Sequence, residues 1–132
     1  MPKTAITTTD APAPVASYSQ AVRKGNVLQV AGQGPTDPAT GAFAGTTVAE
    51  QTRQTLLNVQ AILRAAGAGF DDVLMMRVYL TDVAHFTAMN EVYSSFVAGE
   101  GVTAPFPART TVYVGLPAGM LVEIDALAVL GD

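Results

Sequence analysis

The stripe Val48, Thr52, Leu56, Val59, Leu63 and Ala66 recurs at helical intervals, with Ile62 beside it, and predicts a helix over Thr47–Ala66. Thr47 and Glu50 have capping-box spacing at its start, and Gly67 supplies a stop. A second stripe of Phe86, Asn90, Tyr93 and Val97, with Met89 and Phe96 alongside, predicts a helix from Thr81 or Asp82 to about Val97. Strands are predicted at Ser17–Val22, Val27–Gly32, Val73–Leu80, Arg109–Val114 and Leu121–Val129. Val73–Leu80 is apolar on nearly both faces, as a central strand is. Lys24, Gly25 and Asn26 make a turn, and Pro35–Gly41 and Gly99–Pro107 read as loops. Gly115, Pro117 and Gly119 turn the chain between the last two strands, which reads as a hairpin. Residues 1–15 show little periodicity and read as an irregular arm.

The order is β, β, α, β, α, β, β, and right-handed crossovers put both helices on one face of a sheet. This predicts a single α+β domain across residues 1–132. The other sheet face has no layer left to cover it, so self-association is expected there. Composition agrees: hydrophobic residues make up 49% and charged residues only 14%.

The net charge is -4, and of the seven basic residues only Arg23 and Lys24 are adjacent. No basic stripe can be drawn, which argues against nucleic-acid binding. The chain has no cysteine and one histidine, His85, so no thiol nucleophile or thiolate metal site is available and no metal is expected. No apolar run reaches membrane-spanning length and no signal-peptide core precedes the domain, so the expectation is a cytoplasmic protein.

Chemistry centres on Arg109, a charge on a strand with apolar neighbours. Arg109, Thr111 and Tyr113 share one strand face; Leu121, Glu123, Asp125 and Leu127 share one face of the next strand. In a hairpin Glu123 comes opposite Thr111, two residues from Arg109. Two readings then stand with equal weight. Arg109 grips a bound carboxylate while Glu123 handles a proton or a water, or the two form a salt bridge. Asn90, on an apolar helix stripe, needs a hydrogen-bond partner, either a neighbouring backbone group or a ligand. Tyr18 reads as a rim or interface aromatic, and Gly32 as a strand end open to close backbone approach.

Several stretches together resemble the RidA/YjgF family of enamine and imine deaminases. They include Ser17–Ala21, Ala31–Gln33 with Asp37–Gly41, Gln51–Val59, Val78–Asp82, Met89–Tyr93, Pro107–Val112, and Leu116–Pro117 with Val122–Ala126. The resemblance implies a chorismate-mutase-like mixed sheet with two helices on one face, a homotrimer, and active sites in the clefts between subunits. It implies a cofactor-free reaction: 2-aminoacrylate and 2-aminocrotonate, through their imines, are hydrolysed to 2-oxo acids and ammonia. Pyridoxal-phosphate dehydratases would supply these substrates. By the same resemblance Arg109 clamps the substrate carboxylate and Glu123 activates water. Gly32 offers backbone contacts, while Asn90, Thr111 and Tyr18 line the cleft, with Tyr18 from a neighbouring subunit. Ala31 and Thr111 stand where many members have serine and cysteine, which bears on substrate preference. The other readings are a catabolic deaminase for another enamine acid, a non-catalytic carboxylate-binding regulatory trimer, and a ribonuclease. The acidic balance of charge disfavours the last.

Overall fold

The computed structural model describes residues 1–102 and 105–131, so Thr103 and Ala104 of the predicted Gly99–Pro107 loop lie outside the described residues. Its strands are β1 (Thr4–Ile6), β2 (Ala21–Lys24), β3 (Val27–Gln33), β4 (Val73–Leu80), β5 (Ala108–Tyr113) and β6 (Val122–Val129). Its helices are α1 (Val48–Ala65) and α2 (Phe86–Gly99). The strands form one sheet in the order β1-β2-β3-β6-β4-β5, antiparallel except for the parallel β4–β5 pair.

α1 forms where its capping box predicts. The Thr47 side chain accepts from the Glu50 backbone N–H, and the Glu50 carboxylate accepts from the Thr47 N–H. Gly67 leaves the helix at φ +75°, a conformation that favours glycine. The second helix opens differently from expectation. Asp82 caps a 3-10 turn over Val83–His85, and α2 proper begins at Phe86.

Leu56, Val59, Ile62 and Leu63 of α1 are fully buried. Burying each contributes about 1.5–3 kcal/mol. They face a core that includes Leu28 and Val30 of β3, Met76, Val78 and Leu80 of β4, and Val122, Ile124, Ala126 and Ala128 of β6. Among the buried polar side chains of α1, Asn58 and Gln51 serve as hooks. Asn58 Nδ2 donates to the carbonyls of Gly34 and Thr36. Gln51 Nε2 donates to the Gly119 carbonyl, and its Oε1 accepts from the Leu121 N–H. These bonds hold the loops after β3 and before β6 at one end of the sheet.

Three strand expectations change. The arm is not wholly irregular, because Thr4–Ile6 pairs with β2 as an edge strand. The Ser17–Val22 segment enters the sheet only at Ala21, because Ser17–Ser19 bend away and Gln20 turns inward. The Gln20 side chain is buried and binds backbone groups of Thr8, Ala11 and Pro12, strapping the arm to the domain. Most consequential, β5 and β6 do not form a hairpin. β3 and β4 are both antiparallel to β6 and so parallel to each other, and their crossover through α1 leaves one strand-wide slot between them. β6 fills that slot, and β4 therefore separates β6 from β5.

Both crossovers place their helices on the face of the even-numbered β4 and β6 residues. The opposite face carries Met75, Arg77, Tyr79, Glu123, Asp125 and Leu127. Among the described residues no helix is long and apolar enough to cross a membrane.

Candidate functional site

The predicted site residues fall into two groups on opposite faces of the sheet. The first surrounds Arg109. Met76 lies opposite Arg109 on β5 and opposite Ala126 on β6, so these three side chains share the helix face. Arg109 Nη1 donates to Asn90 Oδ1 at 2.8 Å. Its guanidinium carbon lies 4.7 Å from the Tyr93 ring centroid and 5.6 Å from that of Phe86. Cation–π contacts of this kind contribute about 0.5–2 kcal/mol. Phe86, Asn90 and Tyr93 stand at helical spacing on α2, and their side of the helix forms a bed for the arginine. Thr111, half-buried, lies two residues further along β5 on the same face. The Asn90 carbonyl oxygen thus accepts from the arginine itself rather than from a neighbouring backbone group.

Burial pushes the Tyr93 phenol up, while the nearby Arg109 charge acts in the other direction. Among the described residues Arg109 makes no salt bridge, so the Arg109–Glu123 ion pair does not form within the chain. A neutral amide and two rings fix the guanidinium and leave its charge uncompensated.

The second group surrounds Glu123. It stands opposite Tyr79 on β4 and projects from the face away from the helices. A cavity of about 370 Å³ opens there, lined by Pro12, Ala13, Val15, Tyr18, Gly32 and Glu123 among others. The strapped arm therefore forms one wall of the cavity. The β3–β6 register shifts between Val30 and Gln33, a bulge that contains Gly32. A β-carbon on Gly32 would lie 2.5 Å from Glu123 Oε2 and 2.9 Å from its Cδ. The glycine lets the carboxylate rest against backbone and lines the same cavity. Burial pushes the Glu123 carboxyl above its ordinary value, and the negative charge of Asp125 adds to this.

Within one chain the two groups cannot act on one small molecule. Arg109 aligns with Ala126, three residues past Glu123 and two strand spacings away. That separates the two Cα atoms by roughly 14 Å, with the side chains on opposite faces. The expected hairpin geometry, with Glu123 opposite Thr111, is replaced by one in which Tyr79 sits between Glu123 and Val112. Among the described residues no three of His, Asp and Glu gather as a metal-binding group. Sequence reasoning did not find the arm wall or the aromatic bed. The spacing of Phe86 and Tyr93 about Asn90 is the signal for the bed, although an apolar stripe ordinarily reads as core.

Residues 8–130 match the family model described as Endoribonuclease L-PSP. A RutC family protein of Pyrococcus horikoshii is 46% identical over 127 residues, covering 96% of this chain and 97% of that one. The mouse protein named 2-iminobutanoate/2-iminopropanoate deaminase is 39% identical over 127 residues, covering 96% of this chain and 90% of its own. Among solved structures, E. coli TdcF with bound serine superposes with a TM-score of 0.92 at 37% identity, covering 97% of this chain and 99% of that one. The E. coli YjgF gene product gives a TM-score of 0.90 at 39% identity, covering 96% of this chain and 98% of the other.

Proposed function

Because the chain belongs to the RidA/YjgF family, we propose that it is a cofactor-free deaminase that hydrolyses small 2-imino acids, and their enamine tautomers, to 2-oxo acids and ammonia. One observation carries the reading. Arg109 is held by a neutral partner, Asn90, with its positive charge left to pair with a ligand carboxylate. An arginine fork suits that task in a way lysine would not. The name of the mouse relative supports the chemistry, and the perturbed carboxyl of Glu123 supports catalysis over binding alone.

In this reading the substrate carboxylate sits on Arg109 and the C=N carbon faces Glu123. As its carboxylate, Glu123 takes a proton from water while the oxygen attacks the imine carbon. It returns the proton to nitrogen to give a carbinolamine, then carries the hydroxyl proton to the amine, so that the C–N bond breaks and ammonia leaves as the C=O forms. A carboxyl raised above its ordinary value serves both directions of transfer. Since Arg109 and Glu123 lie on opposite faces of one sheet, the site requires two copies of the chain. A closed homotrimer gives each Glu123 cavity an Arg109 from a neighbour. Pyridoxal-phosphate dehydratases that release aminoacrylate or aminocrotonate would supply the substrate.

A second reading, a carboxylate-binding trimer without catalysis, is favoured by the serine bound to the related TdcF. Generating the imine with a threonine or serine dehydratase, and trapping it with semicarbazide, separates the two. The deaminase reading predicts faster imine loss with wild type and loss of that effect in both Arg109→Ala and Glu123→Gln. Unchanged decay with wild type refutes it in favour of binding alone.

A further inference from the structure

A carboxylate unused by the proposed reaction lies on the same sheet face as Glu123. Asp125 is two residues along β6, about 7 Å away between Cα atoms. It is a buried residue, 8% exposed, yet it is fully partnered. Arg77 Nε donates to Asp125 Oδ1 at 2.8 Å, and the Tyr79 hydroxyl donates to Oδ2 at 2.8 Å. The sheet register makes this a single unit with Glu123: Arg77 stands opposite Asp125, and Tyr79 stands opposite Glu123. Tyr79 thus lies beside the glutamate while its hydroxyl ties down the aspartate. Among the described residues the ionisable groups facing Glu123 are Asp125 on its own strand, Tyr79 and, beyond it, Arg77 on β4, and Tyr18 across the cavity. β3 contributes Gly32 and Gln33, which carry no charge.

We propose that the Arg77–Asp125 pair, fixed by Tyr79, is a charge-setting unit that governs how readily Glu123 takes up and releases a proton. The use made of that proton rests on the deaminase reading; the electrostatic coupling does not. Asp125 repels a charged Glu123 across a partly buried surface, and Arg77 offsets that repulsion. The burial-raised Glu123 carboxyl and the additional push from Asp125 are consistent with this arrangement. Each half of the pair therefore acts on Glu123 with opposite sign. Asp125→Asn removes the anion and leaves the Arg77 cation, which favours ionised Glu123. Arg77→Gln leaves the anion uncompensated and favours protonated Glu123. A merely structural pair would not separate the two variants by sign.

The chain has four glutamates, so side-chain carboxyl 13C labelling gives few signals, and Glu123→Gln identifies the one that matters. The experiment titrates that signal in the assembled protein. Asp125→Asn should lower the midpoint by about one pH unit and Arg77→Gln should raise it by about half a unit. Tyr79→Phe, which keeps both charges, should move it less than either. The acid limb of kcat/KM in the dehydratase-coupled assay should follow in the same directions. Anything other than opposite displacements in Asp125→Asn and Arg77→Gln overturns the proposal. If Asp125→Asn does not fold, Arg77→Gln decides alone: an upward displacement supports the pair's role, and none or a downward one overturns it. Wild type without deaminase activity would refute the proposed function and leave the titration to judge this inference separately.

Discussion

Gly32→Ala isolates the placement of the Glu123 carboxylate from the stability of the fold. The new β-carbon would lie 2.5 Å from Glu123 Oε2, 2.9 Å from Cδ and 3.3 Å from Cγ, closer than carbon and oxygen tolerate. Every one of these atoms belongs to the glutamate side chain, so relief comes from rotating that side chain rather than shifting the sheet. An off-rotamer displacement costs about 0.5–1.5 kcal/mol. Gly32 lacks a positive φ, so alanine fits its backbone, and the smaller unfolded-state entropy returns about 0.4–1 kcal/mol. The net change in stability should therefore stay within about 1 kcal/mol. Activity should respond far more, because a 1 Å misplacement of a reacting group can cost about 100-fold. Chemical denaturation and the semicarbazide assay on the same preparation give both numbers. Undiminished activity with unchanged stability would refute the idea that the carboxylate works from its seat on Gly32. A loss of more than about 3 kcal/mol would show that the backbone, not the side chain, absorbs the clash.

Three further outcomes follow from the same geometry. Asn90→Asp places an anion where the amide oxygen now accepts from Arg109, so it should compete with the substrate carboxylate and raise KM about tenfold or more; an unchanged KM would remove Arg109 from carboxylate binding. Glu123→Gln should abolish activity yet stabilise the fold at neutral pH. The folded carboxyl sits above its ordinary value, so its penalty is absent below the unfolded value and grows as pH rises through the folded one. Denaturation curves should show the gain at pH 7 and not at pH 4. Tyr93→Phe removes a buried hydroxyl that has no hydrogen-bond partner among the described residues while keeping the ring beneath Arg109, and should leave stability unchanged or raise it by about 1 kcal/mol; a clear loss in denaturation would mean the hydroxyl is partnered.

The elements legible in the sequence are those specified by local chemistry. α1 carries its period, its capping box and its stop within twenty or so residues. The faces of β6 follow from simple alternation, and Glu123 and Asp125 do share the face expected of them. What local chemistry does not specify is which strand lies beside which. Gly115, Pro117 and Gly119 announce a reversal before β6, but the partner of β6 is decided by the slot that the β3–α1–β4 crossover leaves open. That one non-local choice moves Arg109 and Glu123 to opposite faces. β1 escaped prediction because a three-residue exposed edge carries no periodic signal. The candidate site residues are legible chiefly through the family's motifs. Their physical partners are not: Asn90 beneath Arg109, the aromatic bed on α2, and Gly32 yielding its space to Glu123 all depend on contacts between distant elements.

The most direct test of the central claim, that Arg109 and Glu123 serve one site from different copies of the chain, is complementation between inactive variants. Arg109→Ala and Glu123→Gln are each prepared alone, then dissociated and reassembled together in equal amounts. In the proposed trimer a site takes its arginine from one subunit and its glutamate from the next, so random trimers would restore about one site in four. The semicarbazide assay should then show about a quarter of wild-type activity from two inactive parents. Mixed assemblies that stay as inactive as either parent would contradict the account.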